Sequence, residues 1–214
     1  MLLPSTKTEL DLAKKGIVPI GVDEVGRGPL AGPVVAAAAW VDPKILEKDF
    51  DLKKFIRDSK TLSEKKRNEI FLFLEEEKGF EIAIGEVSPM TIDRINILNA
   101  SLLAMRLAVE NLNKKIKKNN PLILVDGNKT IPGVTHQQKY FIKGDRDVFS
   151  IAVASIYAKV YRDNLMIEYH QKFPDYGFDC HKGYGTKKHM EALGKCGACE
   201  IHRRSFGPVG EVIK

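Results

Sequence analysis

The 214-residue sequence has no apolar run of about 18 residues, the length a membrane-spanning helix needs. Its start, MLLPSTKTELDLAKK, has no basic region ahead of a long apolar stretch, so no secretory leader is expected. Cysteine is scarce: three residues, an odd number, make no disulfide framework and point to a reducing cytoplasm. Internal repeats and low-complexity linkers are absent as well. What remains is ordinary globular material, 43% hydrophobic and 29% charged. At about 150 residues per domain, that length makes one domain with at most a small appendage. Lys and Arg number 34 against 28 Asp and Glu, a formal net charge of +6 that favours a polyanionic partner, nucleic acid before membrane. In such a protein, acidic residues set among apolar ones need a reason.

Thr6-Lys7-Thr8-Glu9 has the capping-box pattern of a short helix that Gly16 closes. Ile17 to Val25 and Pro33 to Trp40 are apolar runs too short for helices; joined by a glycine-rich turn, they read as a hairpin. Ser63 caps a helix to about Lys78, and Phe80 to Val87 alternates as a strand. Ser88-Pro89 opens a long helix whose apolar stripe is Leu98, Leu102, Met105, Val109, Leu112 and Ile116. Strands follow at Pro121–Val125 and Lys139–Lys143. A second long helix then carries Phe149, Val153, Ile156, Val160 and Ile167 on one face until Pro174. Beyond Pro174 come Gly, His, Lys and Arg with little apolar periodicity, an appendage with one helix near Thr186 to Leu193. The expected organisation is an α/β domain over residues 1–174 and a small helical C-terminal appendage over 175–214. His136 and His189 are assigned to the surface, and Asp163 to pairing with a basic neighbour.

Four carboxylates fall at strand ends. Asp23 and Glu24 interrupt the end of the first strand, Asp126 terminates Leu-Ile-Leu-Val, and Asp145 follows Phe141-Ile142-Lys143-Gly144. Asp-Gly-Asn alone is also a turn, and Asp145 alone a helix cap. The Asp23-Glu24 pair is harder to dismiss, because buried acids are costly unless neutralised. Four carboxylates brought together call for a cation, and oxygen donors suit Mg²⁺ or Mn²⁺ better than zinc. Two such ions would serve phosphoryl chemistry, so a basic protein with an acidic crevice is a nuclease candidate.

The residues themselves go further. Gly21 to Val35 (GVDEVGRGPLAGPVV) resembles the opening signature of bacterial ribonuclease HII. So do Asp58 to Ser63 (DSKTLS), Val125-Asp126-Gly127-Asn128, Lys143-Gly144-Asp145, Ser150 to Asp163 (SIAVASIYAKVYRD), His181 to Tyr184 and His202 to Pro208, all in the family's order. The related type 3 enzymes carry an added N-terminal domain, for which the 16 residues before the first strand leave no room. The resemblance implies a ribonuclease H-like fold, a mixed central sheet flanked by helices. It implies a metal-dependent endoribonuclease acting on the RNA strand of RNA–DNA hybrids. It further implies incision 5′ to single ribonucleotides embedded in duplex DNA, leaving 5′-phosphate and 3′-hydroxyl ends. Carried over by position, Asp23, Glu24, Asp126 and Asp145 match the catalytic, metal-binding carboxylates. Gly26, Arg27 and Gly28 match the loop that recognises the ribonucleotide, and Tyr184 the aromatic that senses the RNA–DNA junction. Ser59 and Lys60 fall in a segment expected near the phosphates. A cytoplasmic monomer with no membrane association is expected.

Two alternatives stay open. Cys180, Cys196 and Cys199 with His181 and His202 suggest a zinc-containing nucleic-acid-binding protein, although one C-x-x-C with a single nearby His is incomplete. The same fold also serves DNA nucleases of the resolvase and integrase type, which would not need Gly-Arg-Gly or Tyr184. A binding protein that has lost catalysis is a third idea, which the presence of all four carboxylates does not favour.

Overall fold

In the computed structural model, which describes residues 3–47, 53–56 and 62–212, the chain opens with α1 (Lys7–Ala13) and the hairpin β1 (Val18–Val25) and β2 (Val34–Val41). There follow α2 (Pro43–Leu46), a 3-10 turn at Lys53–Phe55, α3 (Glu64–Glu76), β3 (Phe80–Val87) and the long α4 (Pro89–Ile116). Next are β4 (Pro121–Asp126), β5 (Gln137–Phe141), α5 (Gly144–Asp147) and the second long helix α6 (Phe149–Lys172). The C-terminal part holds a 3-10 turn at Pro174–Tyr176, α7 (Phe178–His181), α8 (Lys187–Cys196) and α9 (Gly207–Val212). No helix among the described residues is long and apolar enough to cross a membrane.

The strands form one mixed sheet in the order β3-β2-β1-β4-β5, antiparallel from β3 to β1 and parallel from β1 to β5. β2 is buried at every position because helices cover both faces: Val34, Ala36, Ala38 and Trp40 pack with α4, while Val35, Ala37, Ala39 and Val41 pack with α3 and α6. Its four alanines keep this inner strand thin. Two glycines bring the long helices closer still. A side chain at Gly21 would sit 2.2 Å from the Ser150 carbonyl carbon, and one at Gly85 2.1 Å from the Ala104 oxygen. Both distances are closer than real Cβ contacts come, so backbone meets backbone there.

Local signals explain most boundaries. Ser63 and Ser88 accept from the backbone N–H groups of Lys66 and Thr91, and Pro89 occupies the first helical turn. Four expectations need correction. First, the stripe on α4 begins later than Leu98, which is exposed. Asn96 (φ 64°, ψ 165°) breaks the helical path, and its side chain accepts from Asn99 N to restart it. Second, Thr6 makes no capping bond; buried Glu9 instead accepts from Ser150 N at 2.7 Å, serving the start of α6, whose own N-cap is Val148. Third, β5 ends at Phe141, since Lys143 takes a left-handed backbone (φ 61°). Fourth, Ile167, expected on the buried face of α6, is exposed, whereas Phe149, Val153, Ile156 and Val160 are buried.

The segment after Pro174 is tied to the sheet layer despite its weak periodicity. Leu30 N donates to Gly183 O, Gly32 N to Ile201 O, and Arg203 N to Leu30 O, at 2.8–2.9 Å. The Asp93 carboxylate on α4 accepts from the backbone of Arg204 and Ser205. Ala31, Met166, Tyr176, Phe178 and Ile201 form a small apolar core of their own.

Candidate active site

β1 and β4 run parallel with Val22 opposite Val125, so the next residues, Asp23 and Asp126, leave neighbouring strand ends side by side. β5 continues the parallel run with Phe141 opposite Asp126, and the left-handed Lys143 then turns the chain so that Asp145 lies in the first turn of α5. Gly144 N donates to Asp126 Oδ1 at 2.6 Å, joining the two strand ends. Asp23 and Glu24 are consecutive, so their side chains diverge to the α6 and α4 faces. All four acids nevertheless line one cavity of about 340 Å³ at the carboxyl ends of the strands. A smaller cavity of about 120 Å³ continues past Glu24 and Asp126 toward Asn128 and Lys129.

The cavity brings Gly26, Arg27, Gly28 and Tyr184 to the same carboxylates, together with Ser155 and Lys159 of α6. Burial, then the charges of Glu24 and Asp126, hold the Asp23 carboxyl well above the usual carboxylate range, with Ser155 acting in the opposite sense. Burial also raises Glu24, which Arg27 opposes from 3.3 Å. Lys159 pairs with Asp163 at 2.7 Å, the basic neighbour that the sequence left unspecified. The donor set is all oxygen, and the local excess of negative charge is what a hard divalent cation would relieve. Among the described residues no three His, Cys, Asp or Glu side chains converge into a ready-made cage. Oxygen donors of this kind suit Mg²⁺ or Mn²⁺, which take one or two carboxylates and fill the remaining positions with water and substrate oxygens.

Beneath the Gly-Arg-Gly loop lie two arginines that escaped the sequence reading. Arg162 and Arg203 are fully buried, and both guanidinium groups point at backbone carbonyls. Arg162 donates to Pro33, Ala31 and Lys182, and Arg203 to Gly26, Arg27, Gly32 and Pro33, at 2.6–3.1 Å. Burial pulls their pKa values down to about 10 and about 9. Even so they stay protonated at neutral pH. Gly26 is required twice over: its φ is +90°, and a side chain there would strike Arg162 Nε at 2.3 Å. Turned this way, the loop's carbonyls face inward onto the arginines.

The family model for ribonuclease HII matches residues 20–209, spanning the strand ends, the loop, Tyr184 and both arginines. The chain belongs to the ribonuclease HII family. Membership makes it an endoribonuclease of the ribonuclease H type. Ribonuclease HII of Endomicrobium trichonymphae is 48% identical over 200 residues, covering 93% of this chain and 90% of that protein. The Caldicellulosiruptor bescii protein is 50% identical over 187 residues, 87% of this chain and 84% of the relative. Among solved structures, ribonuclease H2 from Pyrococcus horikoshii superposes with a TM-score of 0.67 at 24% identity, covering 92% of this chain and 97% of its own. Bst-RNase HIII in complex with Mn²⁺ gives 0.76 at 18% identity, covering 92% of this chain and 69% of its own. The architecture is the ribonuclease H-like fold.

Set against the ribonuclease HII signature, the structure brings together all the expected residues except Ser59 and Lys60, which lie outside the described residues. His189 is buried, not on the surface, because its imidazole hydrogen-bonds at both nitrogens. His136 is half-buried and pairs with Asn113. The cysteines of the zinc alternative do not converge: Cys180 and Cys196 are exposed, while Cys199 Sγ rests 3.1 Å from His202 Nδ1. Ser155 and Lys159 went unnoticed in the sequence. Their signal was the i, i+4, i+8 row Ser155, Lys159, Asp163 on a helix otherwise buried for most of its length.

Proposed function

We propose that the chain hydrolyses the RNA strand of RNA–DNA hybrids and incises 5′ to single ribonucleotides embedded in duplex DNA, leaving 5′-phosphate and 3′-hydroxyl ends. The observation that carries this reading is a single cavity that joins four strand-end carboxylates to the Gly-Arg-Gly loop and to Tyr184. Asp23, Glu24, Asp126 and Asp145 would hold Mg²⁺ or Mn²⁺. Bound there, the metal supplies activation of the attacking water and stabilisation of the leaving oxygen. The protein's own contribution is placement. Gly26 and Gly28 let the backbone come close to a nucleotide, whose 2′-hydroxyl distinguishes RNA from DNA as both donor and acceptor. Arg27 tethers Glu24 and reaches solvent where a phosphate would lie. Lys159 supplies positive charge on the opposite wall.

Tyr184 is 42% exposed beside Gly28, free to stack on the sugar of the deoxynucleotide that follows the ribonucleotide. In this reading residues 1–174 carry the carboxylates and residues 175–214 complete the substrate site, with Ser59 and Lys60 meeting the phosphates. The decisive experiment is a duplex with one embedded ribonucleotide, incubated with Mg²⁺ or Mn²⁺, and mapping of the cut. A break 5′ to the ribonucleotide is expected. Cleavage of all-DNA junctions with no preference for the ribonucleotide would favour the resolvase type instead. Tyr184→Ala should lower kcat/KM on that duplex by roughly 5- to 150-fold, on the scale of one aromatic stacking contact, and proportionally less on a long hybrid.

A further inference from the structure

The three buried or half-buried imidazoles of the C-terminal segment have no part in the carboxylate chemistry, yet two of them, His202 and His189, form a chain that ends on the backbone of Tyr184. His189 Nδ1 lies 2.9 Å from the Tyr184 carbonyl oxygen, and its Nε2 lies 3.0 Å from Nε2 of His202. The other nitrogen of His202, Nδ1, faces the backbone N–H of Cys199 at 3.0 Å. A carbonyl only accepts, so His189 carries its proton on Nδ1. A backbone N–H only donates, so His202 accepts at Nδ1 and carries its proton on Nε2. Both ends of the chain therefore require the same polarity: Cys199 N–H to His202, His202 Nε2–H to His189, and His189 Nδ1–H to Tyr184. His181 stacks on His189 with ring centres 4.5 Å apart, and its Nδ1 accepts from Gly183 N at 3.2 Å. His181 thus holds the peptide that precedes Gly183, and His189 the peptide that follows the Tyr184 Cα.

Two backbone bonds also hold the residue, Tyr184 N to His181 O at 2.9 Å and Thr186 N to Tyr184 O at 2.8 Å, but its ring is loosely packed. It is 42% exposed, and its nearest approach to the Gly28 position is 3.7 Å. A side chain that is not packed must be aimed by its backbone, and aiming is what stacking on a substrate requires.

We propose that His189 and His202 are positioning residues for Tyr184, a directed imidazole pair that fixes the tyrosine's carbonyl and so turns its ring toward the carboxylate cavity. The proposal rests on the reading of Tyr184 as the junction sensor. It asks for no new contact with substrate, and it gives a reason for two fully buried histidines in a segment otherwise rich in solvated charge.

The test uses two substitutions at one residue. The side-chain amide of His189→Asn falls near the position of Nδ1 and keeps a donor to Tyr184. The amide of His189→Gln falls near Nε2 and keeps contact with His202 instead. For each protein, and for Tyr184→Ala, the ratio of kcat/KM on a single embedded ribonucleotide to kcat/KM on a long hybrid is measured. Both substrates are read on one preparation, so any unfolded fraction cancels. The ratio should fall at least about fivefold for His189→Gln, toward that of Tyr184→Ala, by the stacking scale. His189→Asn should stay within about twofold of the parent, a rescue that bulk packing would not produce. Where Tyr184→Ala lowers the ratio, equal ratios for Asn and Gln, changed or unchanged, overturn the proposal. Hydrogen exchange of the Tyr184 and Thr186 amides separates the two ideas. An unchanged ratio for Tyr184→Ala sinks the junction reading alone. Positioning then stands if exchange quickens in His189→Gln and not in His189→Asn, and falls if the two variants exchange alike.

Discussion

Arg203 permits a prediction worked from its hydrogen bonds. Replacing it with Met keeps much of the volume and removes the donors to Gly26, Arg27, Gly32 and Pro33. Pro33 keeps Arg162 as a donor, and exposed Arg27 can turn to water. The buried carbonyls of Gly26 and Gly32 lose these partners, at about 1–3 kcal/mol each. Against that cost stands relief, since a guanidinium no longer has to be desolvated beside Arg162, which already depresses its pKa. The net expectation is a loss of about 3 kcal/mol, within the range seen when one side of a buried polar network is cut. In a chain of this size that lowers Tm by roughly 6–12 °C. Urea unfolding gives the free energy and a thermal scan the Tm. kcat/KM should also fall at 25 °C, where the variant is still folded, because the Gly-Arg-Gly loop has lost the donors that turn it. A variant within about 1 kcal/mol of the parent, with activity intact, would show that the carbonyls find other partners and that Arg203 does not organise the loop.

Asp126→Asn should lower cleavage in Mg²⁺ by orders of magnitude while hybrid binding persists or tightens, since one charge facing the phosphates is gone; gel-shift affinity and initial rates read the two effects. Gly26→Ala should lose most activity and stability, having both φ +90° and Arg162 Nε at 2.3 Å against it, whereas Gly28→Ala meets only the Tyr184 ring at an ordinary 3.7 Å and should fold normally, as melting curves will show. Burial, and then His189, hold the His202 pKa down at about 4. The unfolded chain therefore takes up that proton first, and stability contributed above pH 6.5 is lost as pH falls toward 4, by about 1–3 kcal/mol after allowance for solvent. Asp23 and Glu24, whose carboxyls are raised, work in the opposite sense on acidification, so the comparison is with His202→Phe, whose urea-unfolding free energy should lack that part of the acid slope.

Features set by neighbours in sequence could be read from sequence, and features set by partners far along the chain could not. The alternation of β3, the serine caps at Ser63 and Ser88 and the buried runs of β1, β2 and β4 are local patterns, and the strands and helices follow them. Asp23, Glu24 and Asp126 were legible because they break apolar runs in β1 and β4, whereas Asp145, in the first turn of α5, was marked only by its place shortly after β5. Arg203, by contrast, stood within the His202 to Pro208 match with no role assigned, since its partners Gly26 and Arg27 lie 177 and 176 residues away. His189 failed for the same reason: a polar side chain among Gly, Lys and Arg carries no periodic sign of burial. Glu9 was read as serving its own helix and instead serves one that starts 141 residues later.

The order in which the loop acquires its supports matters for a chain made from one end. Gly26 and Arg27 emerge early, but the guanidinium groups that take up the carbonyls around them belong to residues 162 and 203. A chain that stops short of residue 203 can already contain all four carboxylates and Arg162, yet lack the guanidinium that takes up the Gly26 and Arg27 carbonyls. The acids are therefore made before the guanidinium that supports the Gly-Arg-Gly loop from beneath.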